Sequence, residues 1–352
     1  MKSFESFFPF VNGFADHVHV ESQLILDFAS EITPLVSIMI PTYKRPKMLL
    51  EAIESALQQE TSVPYEIVIV DNDPSETNAQ VVDDIVRSYP NSKIRLFRNE
   101  ENIGLFGNWN KCIKHARSGW VTILNDDDLL DPSWLDSTYS VVGQLAEIGG
   151  VGCAVRDGST SESSDSLTLL GAIKRVLRWA MIADLSFIEP EDYFISCPHS
   201  GSLGMLMHRQ AAIDVGGFDP SFYPCADYLF YIKLSFQNRI CLLKDNRAVY
   251  RKYWISTDGS SENLSGTAEV AVKTGLQNRL IQNALIPHIP IWRRILLKYV
   301  GLFSLRSAIG RGHQSDSKIG SKYIIFRYFT VKLFLLLIFK ITKLRRSKSN
   351  GI

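Results

Sequence analysis

The 352 residues carry 38 Lys and Arg against 37 Asp and Glu, a net charge of +1, and 45% of them are hydrophobic. A chain of this length and hydrophobic content can bury a core, which excludes a wholly disordered, collagenous or disulfide-scaffold protein. The charge is unevenly distributed: the segment from Ile291 onward holds 14 basic residues and one acid, whereas the first 290 residues have a net charge of −12. This asymmetry predicts an acidic globular body and a basic tail that meets an anionic partner.

The five cysteines are far apart in the sequence and form no CxxC pair. Their spacing indicates neither a zinc ribbon nor a redox pair, and it favours free thiols in a reducing cytoplasm. Residues 1–33 have early acids and no continuous apolar stretch, so no export segment is expected. They are aromatic and irregular, and we predict a packing arm there.

From residue 34 to residue 124, short apolar runs alternate with segments of helical spacing. Strands are predicted at Leu35–Ile40, Glu66–Val70, Lys93–Arg98 and Trp120–Leu124, and helices at 46–59, Thr77–Ser88 and Gly104–Ala116. This alternation is typical of a parallel, doubly wound sheet, which binds ligands at the carboxyl ends of its strands. The polar turns after Ile40, Val70 and Leu124 all lie at that edge, which is therefore the predicted binding site.

Further along the chain the periodicity is weaker. Residues 156–170 open with a Ser/Asp-rich stretch typical of a loop, and residues 172–183 are predicted to form a helix. A second segment with recognisable motifs runs from Pro198 to about Arg251, and it includes a strand-like stretch at Leu203–Met207.

Acidic residues dominate two of the polar turns. Asp126, Asp127 and Asp128 follow a predicted buried strand, where their mutual repulsion would be relieved by Mg²⁺ or Mn²⁺. A solvated acidic turn or helix cap is the alternative for this triplet. Asp71 ends another strand, where its carboxylate can accept hydrogen bonds from a base or ribose, or can initiate an Asx turn.

The turn after the first strand, Pro41-Thr42-Tyr43-Lys44-Arg45, combines a hydroxyl, an aromatic ring and two cations. Such a mixture suits contact with a nucleoside diphosphate, through stacking and charge-assisted hydrogen bonds.

The segments VSIMIPTYKRPKMLLEAIESALQQ, EIVIVDND and NEENIGLFGNWNKCIKHARSGWVTILNDDDLLDPSWL resemble the nucleotide-binding half of family 2 glycosyltransferases. Further on, Gly216-Gly217-Phe218-Asp219 and Ala226-Asp227-Tyr228 resemble that family's GGFD turn and its acidic catalytic segment. The resemblance covers roughly residues 34–255. It implies a single α/β domain of the GT-A type with a mostly parallel central sheet, and transfer of a sugar from a nucleotide sugar with inversion.

The resemblance also implies roles for individual residues. Asp128 would be the ligand of the divalent cation, Mg²⁺ or Mn²⁺. Contacts with the nucleotide sugar would come from Pro41, Thr42, Tyr43, Arg45, Asp71, Asn108, Asp126, Asp127 and Arg251. For Arg251, a surface salt bridge is the alternative.

The same resemblance makes Asp227 the catalytic base, although Ala226 replaces the Glu that the family commonly has before it. An acid at a helix N-terminus is the alternative for Asp227. His199 and Ser200 would face the acceptor, whereas a lone histidine is more often an ordinary polar residue.

The basic tail contains the segment Tyr323–Ile341, in which 16 of 19 residues are hydrophobic or Thr. Its charges, with Lys332 near the middle, disfavour a membrane-spanning helix and favour a helix of about residues 323–343 lying on an anionic membrane surface. A helix that packs on the body and a transmembrane span are the alternatives. Nucleic acid is not expected as the partner, since the basic residues are interleaved with long aliphatic runs.

The sequence therefore predicts an arm (1–33), a GT-A domain (34–265) and a basic helical region (266–352). The expected protein is a metal-dependent, inverting glycosyltransferase, peripheral at the cytoplasmic face of the inner membrane. Its expected partners are a nucleotide-sugar donor and a lipid-linked glycan acceptor in surface polysaccharide or lipopolysaccharide synthesis. The alternatives are a nucleotidyltransferase and an inactive sugar-binding relative.

Overall fold

The centre of the fold is built from strands that alternate with helices along the chain. The computed structural model describes residues 4–90, 92–145, 147–158, 185–194, 197–251 and 268–289. The strands are β1 (Ser22–Asp27), β2 (Val36–Thr42), β3 (Tyr65–Asp71), β4 (Ile94–Asn99), β5 (Trp120–Ile123), β6 (Leu129–Leu130), β7 (Ile148–Asp157), β8 (Leu185–Ile188), β9 (Leu206–His208) and β10 (Arg239–Tyr250). The helices are α1 (Phe4–Phe7), α2 (Pro46–Leu57), α3 (Glu76–Arg87), α4 (Gly104–His115), α5 (Trp134–Val142), α6 (Arg209–Asp214), α7 (Ala226–Gln237) and α8 (Ala268–Leu285).

The strands of the described residues form a single mixed sheet, ordered β1-β4-β3-β2-β5-β9-β7-β10-β6, with β8 also paired to β10. The pairs β2–β3, β3–β4, β2–β5 and β7–β10 are parallel, and the others are antiparallel. The prediction of a mostly parallel sheet is thus confirmed for the neighbouring strands β4, β3, β2 and β5, and it is wrong for the sheet as a whole. The short strands β6, β8 and β9 and the edge strand β1 account for the difference.

The predicted strands and helices between residues 34 and 124 are confirmed, with ends that differ by one or two residues. The arm departs from the prediction, because Ser22–Asp27 is a strand that pairs with β4 instead of an irregular segment. The strand-like stretch after Leu203 begins later than expected, at Leu206. The predicted helix at 172–183 lies outside the described residues.

Helices on both faces of the sheet explain the character of the central strands. All seven residues of β2 and all seven of β3 are buried, which is typical of parallel strands covered on both sides. Helix α2 presents Leu49, Ile53 and Ala56 to this core and has a proline at its first position, where no backbone N–H is required.

The chain changes direction in the sheet at β2. After β2 it adds β3 and β4 on one side, and it then returns to place β5 on the other side of β2. The carboxyl ends of β2 and β5 therefore flank a topological switch point, where such sheets leave a crevice for ligands.

The chain divides into two units: one covers Glu5–Leu264, and the other combines Met1–Phe4 with Ser265–Ile352. Helix α8 and the 3₁₀ turn Ile286–His288 belong to the second unit. Among the described residues, no helix is both long and apolar enough to cross a bilayer. The predicted membrane-surface helix at about 323–343 lies outside the described residues.

Candidate active site

The turn after β5 brings three carboxylates to the switch point. Asp126 is 5% exposed and Asp128 is 1% exposed, so both are buried, whereas Asp127 is partly exposed. The Thr42 hydroxyl at the end of β2 donates a hydrogen bond of 2.8 Å to Asp126 Oδ2. Arg45 donates to Asp127 Oδ2 at 2.8 Å and lies 3.4 Å from Asp126 Oδ1. The β2 turn and the acidic turn, both predicted at this edge of the sheet, are thus in direct contact.

Burial makes the negative charge of this turn unfavourable. It raises the pKa of Asp126 to about 6 and, with the neighbouring charge of Asp127, the pKa of Asp128 to about 7. Asp128 accepts hydrogen bonds from Asn125 Nδ2 at 3.2 Å and from the Arg251 backbone N–H at 3.3 Å. These two neutral donors do not balance a buried charge, so Asp128 is the carboxylate here that a cation would stabilise most.

Arg251 lies against the acidic turn at the end of β10. Its Nε donates to the Asp127 carbonyl at 2.7 Å, and Nη2 donates to the Asp126 carbonyl at 3.2 Å. The guanidinium also pairs with Glu51 on α2. Arg251 thus braces the backbone of the turn through these contacts, and its predicted contact with a diphosphate stays a prediction.

Asp71 lies at the end of β3 on the same edge and is fully buried. Arg98 Nε donates to Asp71 Oδ2 at 3.1 Å, and the Asp73 backbone N–H donates to Oδ1 at 3.1 Å. Burial raises the pKa of Asp71 despite these donors. Of the neighbouring predicted residues, Pro41 is buried within β2, and Tyr43 is 39% exposed just beyond it. We refer to Thr42, Asp71 and Asp126–Asp128 as the strand-end edge.

Buried asparagines connect the strand ends to one another. Asn108 on α4 donates to the Val70 carbonyl at 3.0 Å and accepts from Asn99 Nδ2 at 3.0 Å. Asn99 Nδ2 also lies 2.9 Å from Asn72 Oδ1. Asn108, predicted to contact the nucleotide, therefore links the end of β3, through its amide nitrogen, to the end of β4, through its amide oxygen. The roles of Asn72 and Asn99 were not predicted, although each stands at a predicted strand end.

A cavity of about 500 Å³ opens beside the strand-end edge. The residues that line it include Trp109, Asp128, Arg156, Ser200, Gly201 and Asp227. The cavity thus brings the predicted metal ligand and the predicted base to a common space. Ser200 lies on its wall, and its predicted contact with the acceptor stays a prediction, whereas the contributions of Trp109, Arg156 and Gly201 were not predicted.

Asp227 lies in the first turn of α7 and lines the cavity on the side opposite the strand-end edge. We refer to residues 200–203 and Asp227 as the opposite wall. Its Oδ1 accepts the backbone N–H of Tyr228 at 2.7 Å. No cation of the described residues lies within ion-pair distance of Asp227, and burial raises its pKa. A carboxylate in such surroundings accepts protons more readily than one in water. Ala226, in place of the commoner Glu, is buried.

His199, predicted on the acceptor side, uses both ring nitrogens within the protein. Nε2 lies 2.9 Å from the Tyr193 hydroxyl, and Nδ1 lies 2.8 Å from the Gly201 carbonyl oxygen. Burial lowers the pKa of His199 to about 4, so the ring is neutral at pH 7.

The described residues contain no group of three or more His, Cys, Asp or Glu side chains arranged to hold a metal ion. A cation of the Mg²⁺ type is commonly bound by one or two carboxylates together with substrate phosphates. Asp128 fits that requirement, because it is a buried carboxylate on a cavity wall and burial raises its pKa despite the nearby charge of Arg251.

Nucleotide-dependent group transfer is the class of chemistry that this fold and site define: a switch-point crevice, a buried acidic turn and a lone carboxylate across a cavity. Residues 37–183 match the family described as "Glycosyl transferase family 2". An uncharacterized protein of Mycobacterium tuberculosis is 29% identical over 226 residues, which are 62% of this chain and 67% of that protein. The succinoglycan biosynthesis protein ExoO of Rhizobium meliloti is 28% identical over 188 residues, 52% of this chain and half of ExoO.

Solved structures share the fold at low sequence identity. TarS of S. aureus in complex with UDP-GlcNAc has a TM-score of 0.54 at 16% identity, covering 77% of this chain and 72% of that chain. The mannosyltransferase PcManGT of Pyrobaculum calidifontis, in complex with GDP-Man and Mn²⁺, has a TM-score of 0.51 at 16% identity, covering 90% and 88%. The match to glycosyl transferase family 2 thus covers residues 37–183, and the protein is a glycosyltransferase with a GT-A-like fold and a mixed sheet.

Proposed function

We propose that the protein transfers a sugar, with inversion, from a nucleotide-sugar donor to a hydroxyl group of a lipid-linked glycan during synthesis of a surface polysaccharide or lipopolysaccharide. The observation that carries the proposal is the placement of Asp128 and Asp227 on the wall of one cavity. The relation to ExoO, a protein named for succinoglycan biosynthesis, supports a polysaccharide product.

The donor would bind along the strand-end edge. Asp71 and Thr42 lie at the ends of adjacent strands, where a base and a ribose can donate hydrogen bonds to the Asp71 carboxylate. Arg45 is partly exposed beside the acidic turn and can exchange its carboxylate partners for a phosphate oxygen. UDP-GlcNAc and GDP-Man are bound by the two structural neighbours, so both belong among the donors to test.

Asp128 would hold the divalent cation, Mg²⁺ or Mn²⁺, together with the donor's diphosphate. When bound, such a cation supplies Lewis acidity that stabilises the negative charge on the departing diphosphate. Asn125 and the Arg251 backbone N–H keep the Asp128 carboxylate oriented toward the cavity from which the diphosphate approaches.

Asp227 would remove the proton from the acceptor hydroxyl. The acceptor oxygen then forms a bond to the anomeric carbon while the bond from that carbon to the diphosphate oxygen breaks. A nucleoside diphosphate leaves, and the proton remains on Asp227 until solvent accepts it. The raised pKa of Asp227 suits this role, because a general base works best when its pKa approaches the working pH.

The basic C-terminal region would hold the enzyme on the cytoplasmic face of the membrane. Its 14 basic residues from Ile291 onward and its long aliphatic runs support this part of the proposal. Deletion of residues 320–352 is expected to move the protein from the membrane fraction to the soluble fraction. A truncated protein that stays with the membranes would contradict the proposed attachment.

A panel of UDP- and GDP-sugars, including UDP-GlcNAc and GDP-Man, tests the reaction itself. We expect release of a nucleoside diphosphate in the presence of Mn²⁺, and about a 10²- to 10⁴-fold loss of that release in Asp227→Asn. A nucleotidyltransferase would release pyrophosphate instead. A non-catalytic, sugar-binding relative would bind a donor without turnover in either protein.

A further inference from the structure

The carboxylate of Asp227 rests against a turn of unusual backbone conformation. Gly201 adopts a φ of +62°, in the left-handed region that favours glycine. A Cβ atom added to Gly201 would lie 2.9 Å from Asp227 Oδ2, which shows how closely the glycine backbone approaches the carboxylate. Any larger residue at this position would therefore have to displace Asp227 or the turn.

The carbonyl of Gly201 is in turn held by His199. A carbonyl oxygen can only accept, so Nδ1 of His199 carries the hydrogen of the 2.8 Å contact. Nε2 is then the accepting nitrogen, and the Tyr193 hydroxyl donates to it at 2.9 Å. The His199 ring also packs edge-on against Tyr231, with ring centroids 4.5 Å apart. These contacts leave the ring a single tautomer and a single orientation.

The chain of contacts closes back on Asp227. Tyr228 donates its hydroxyl hydrogen to the Tyr193 carbonyl, and its backbone N–H donates to Asp227 Oδ1. One carboxylate oxygen is thus held by α7, and the other lies close to the turn that His199 supports. Cys197 Sγ also lies 3.6 Å from both ring nitrogens of His199 and packs against the ring.

We propose that His199 and Gly201 are positioning residues for the general base: His199 fixes the Gly201 turn, and that turn fixes the Asp227 carboxylate toward the acceptor hydroxyl. This inference rests on the proposed function, because it assumes that Asp227 removes a proton. It differs from the expectation that His199 contacts the acceptor, since both ring nitrogens already have partners within the protein.

Gly201→Ala tests the contact with the carboxylate. The added methyl group displaces Asp227 Oδ2, and a displacement near 1 Å is expected to lower kcat about 10²-fold. The donor KM should stay within about twofold, because the strand-end edge is unchanged. Gly143→Ala is the matched control, since Gly143 has a φ of −72° and open space around it, and it should behave as wild type. Nucleoside diphosphate release from the donor found with the UDP- and GDP-sugar panel is the measurement.

Two substitutions of His199 test the support of the turn. The amide N–H of Asn can replace Nδ1–H and donate to the Gly201 carbonyl, whereas Phe keeps the packing on Tyr231 and lacks any donor. We expect His199→Asn to stay within about tenfold of the wild-type kcat and His199→Phe to lose about 10²-fold. If thermal unfolding shows that Gly201→Ala does not fold, the two His199 variants alone test the inference.

The inference would be overturned by a Gly201→Ala protein with wild-type kcat, or by equal losses in His199→Asn and His199→Phe. A rise in acceptor KM in both His199 variants would indicate direct acceptor contact and would also overturn it. Failure of the proposed function is separate, because it would appear as undiminished turnover in Asp227→Asn.

Discussion

At the strand-end edge, the carboxylates of Asp71 and Asp127 each meet an arginine, Arg98 in one case and Arg45 in the other. On the opposite wall, Asp227 meets a backbone N–H and a glycine, and no cation of the described residues pairs with it. Paired carboxylates are suited to binding, because a partner cation stabilises their charge and a substrate can share or replace that partner. An unpaired carboxylate is suited to proton transfer, because its charged form is less stable.

Asp128 combines features of the two regions, since it belongs to the strand-end edge and lines the cavity, where an amide and a backbone N–H donate to its carboxylate. Among substitutions at the strand-end edge, Asp128→Ala should produce the largest effect, about a 10³-fold loss of nucleoside diphosphate release, because several kcal/mol of charge stabilisation depend on it. Asp136→Ala, an exposed acid in the first turn of α5, is the control and should retain activity. Chelation with EDTA should reproduce the loss. Turnover that survives both treatments would remove Asp128 and the cation from the mechanism.

Asp71 should affect donor binding rather than catalysis. Arg98 bridges Asp71 at 3.1 Å and Asp83 at 2.6 Å, so the two acids share a partner, but only Asp71 lies at the strand-end edge. Asp71→Asn is expected to raise the donor KM about 10- to 100-fold with little change in kcat, which corresponds to one charged hydrogen bond. Asp83→Asn keeps the edge intact and should leave the donor KM near its wild-type value. Equal effects of the two substitutions would mean that Asp71 acts only through Arg98.

Substitution of Arg251 tests whether the strand-end edge requires the hydrogen bonds that this residue supplies from the end of β10. Arg251→Met removes the hydrogen bonds to the Asp126 and Asp127 carbonyls, and we expect about a tenfold loss of kcat/KM. Loss of these charged contacts should also lower the free energy of unfolding by about 1–3 kcal/mol, measured by urea denaturation. Arg247→Met is the matched control in the same strand, since Arg247 pairs with Asp245 and Asp131 instead of the acidic turn. Identical kinetics of the two variants would argue against bracing.

The two regions also differ in how much of each could be predicted from sequence. The strand-end edge follows from local patterns: an apolar run of strand length ends in Thr42, in Asp71 or in the acidic turn, and parallel strands bring such ends together. The bracing of that edge depends on residues far apart in the chain, since Arg251 reaches a turn 124 residues earlier. No periodicity in the sequence indicates that Arg251 contacts the acidic turn.

The opposite wall was predicted only through family resemblance, which identified Asp227 and Ser200. The contact between Gly201 and Asp227 depends on a left-handed backbone angle and on the packing of a loop against α7. The resemblance placed His199 near the acceptor, and the spacing of residues does not indicate its partners, Tyr193 and the Gly201 carbonyl. The pairing of β1 with β4 was also not predicted. Strand β1 lies in an irregular aromatic arm, and its partner strand is about 70 residues away in the sequence.

The smallest expected effect concerns stability, and it follows from the lack of a cation beside Asp227. Burial raises the pKa of Asp227, so the folded protein binds this proton more tightly than the unfolded chain does. Below the ordinary carboxyl pKa of about 4, both states are protonated and the residue does not affect folding. As the pH rises through that value, the unfolded chain releases its proton first, and the folded state becomes less stable until the pH exceeds the folded-state pKa. Asp227→Asn cannot ionise, so its Tm should exceed that of wild type at pH 7, and the difference should disappear toward pH 3.

Thermal unfolding of both proteins between pH 3 and pH 8 measures this effect, with Asp136→Asn as the control for removing an exposed acid. A Tm for Asp227→Asn below that of wild type at pH 7 would mean that the fold stabilises the charged carboxylate after all. The opposite wall would then resemble the strand-end edge, and Asp227 would be a binding group. A variant that is more stable and inactive would instead show that the folded protein tolerates an unfavourable charge at Asp227 because the reaction requires a base at that position.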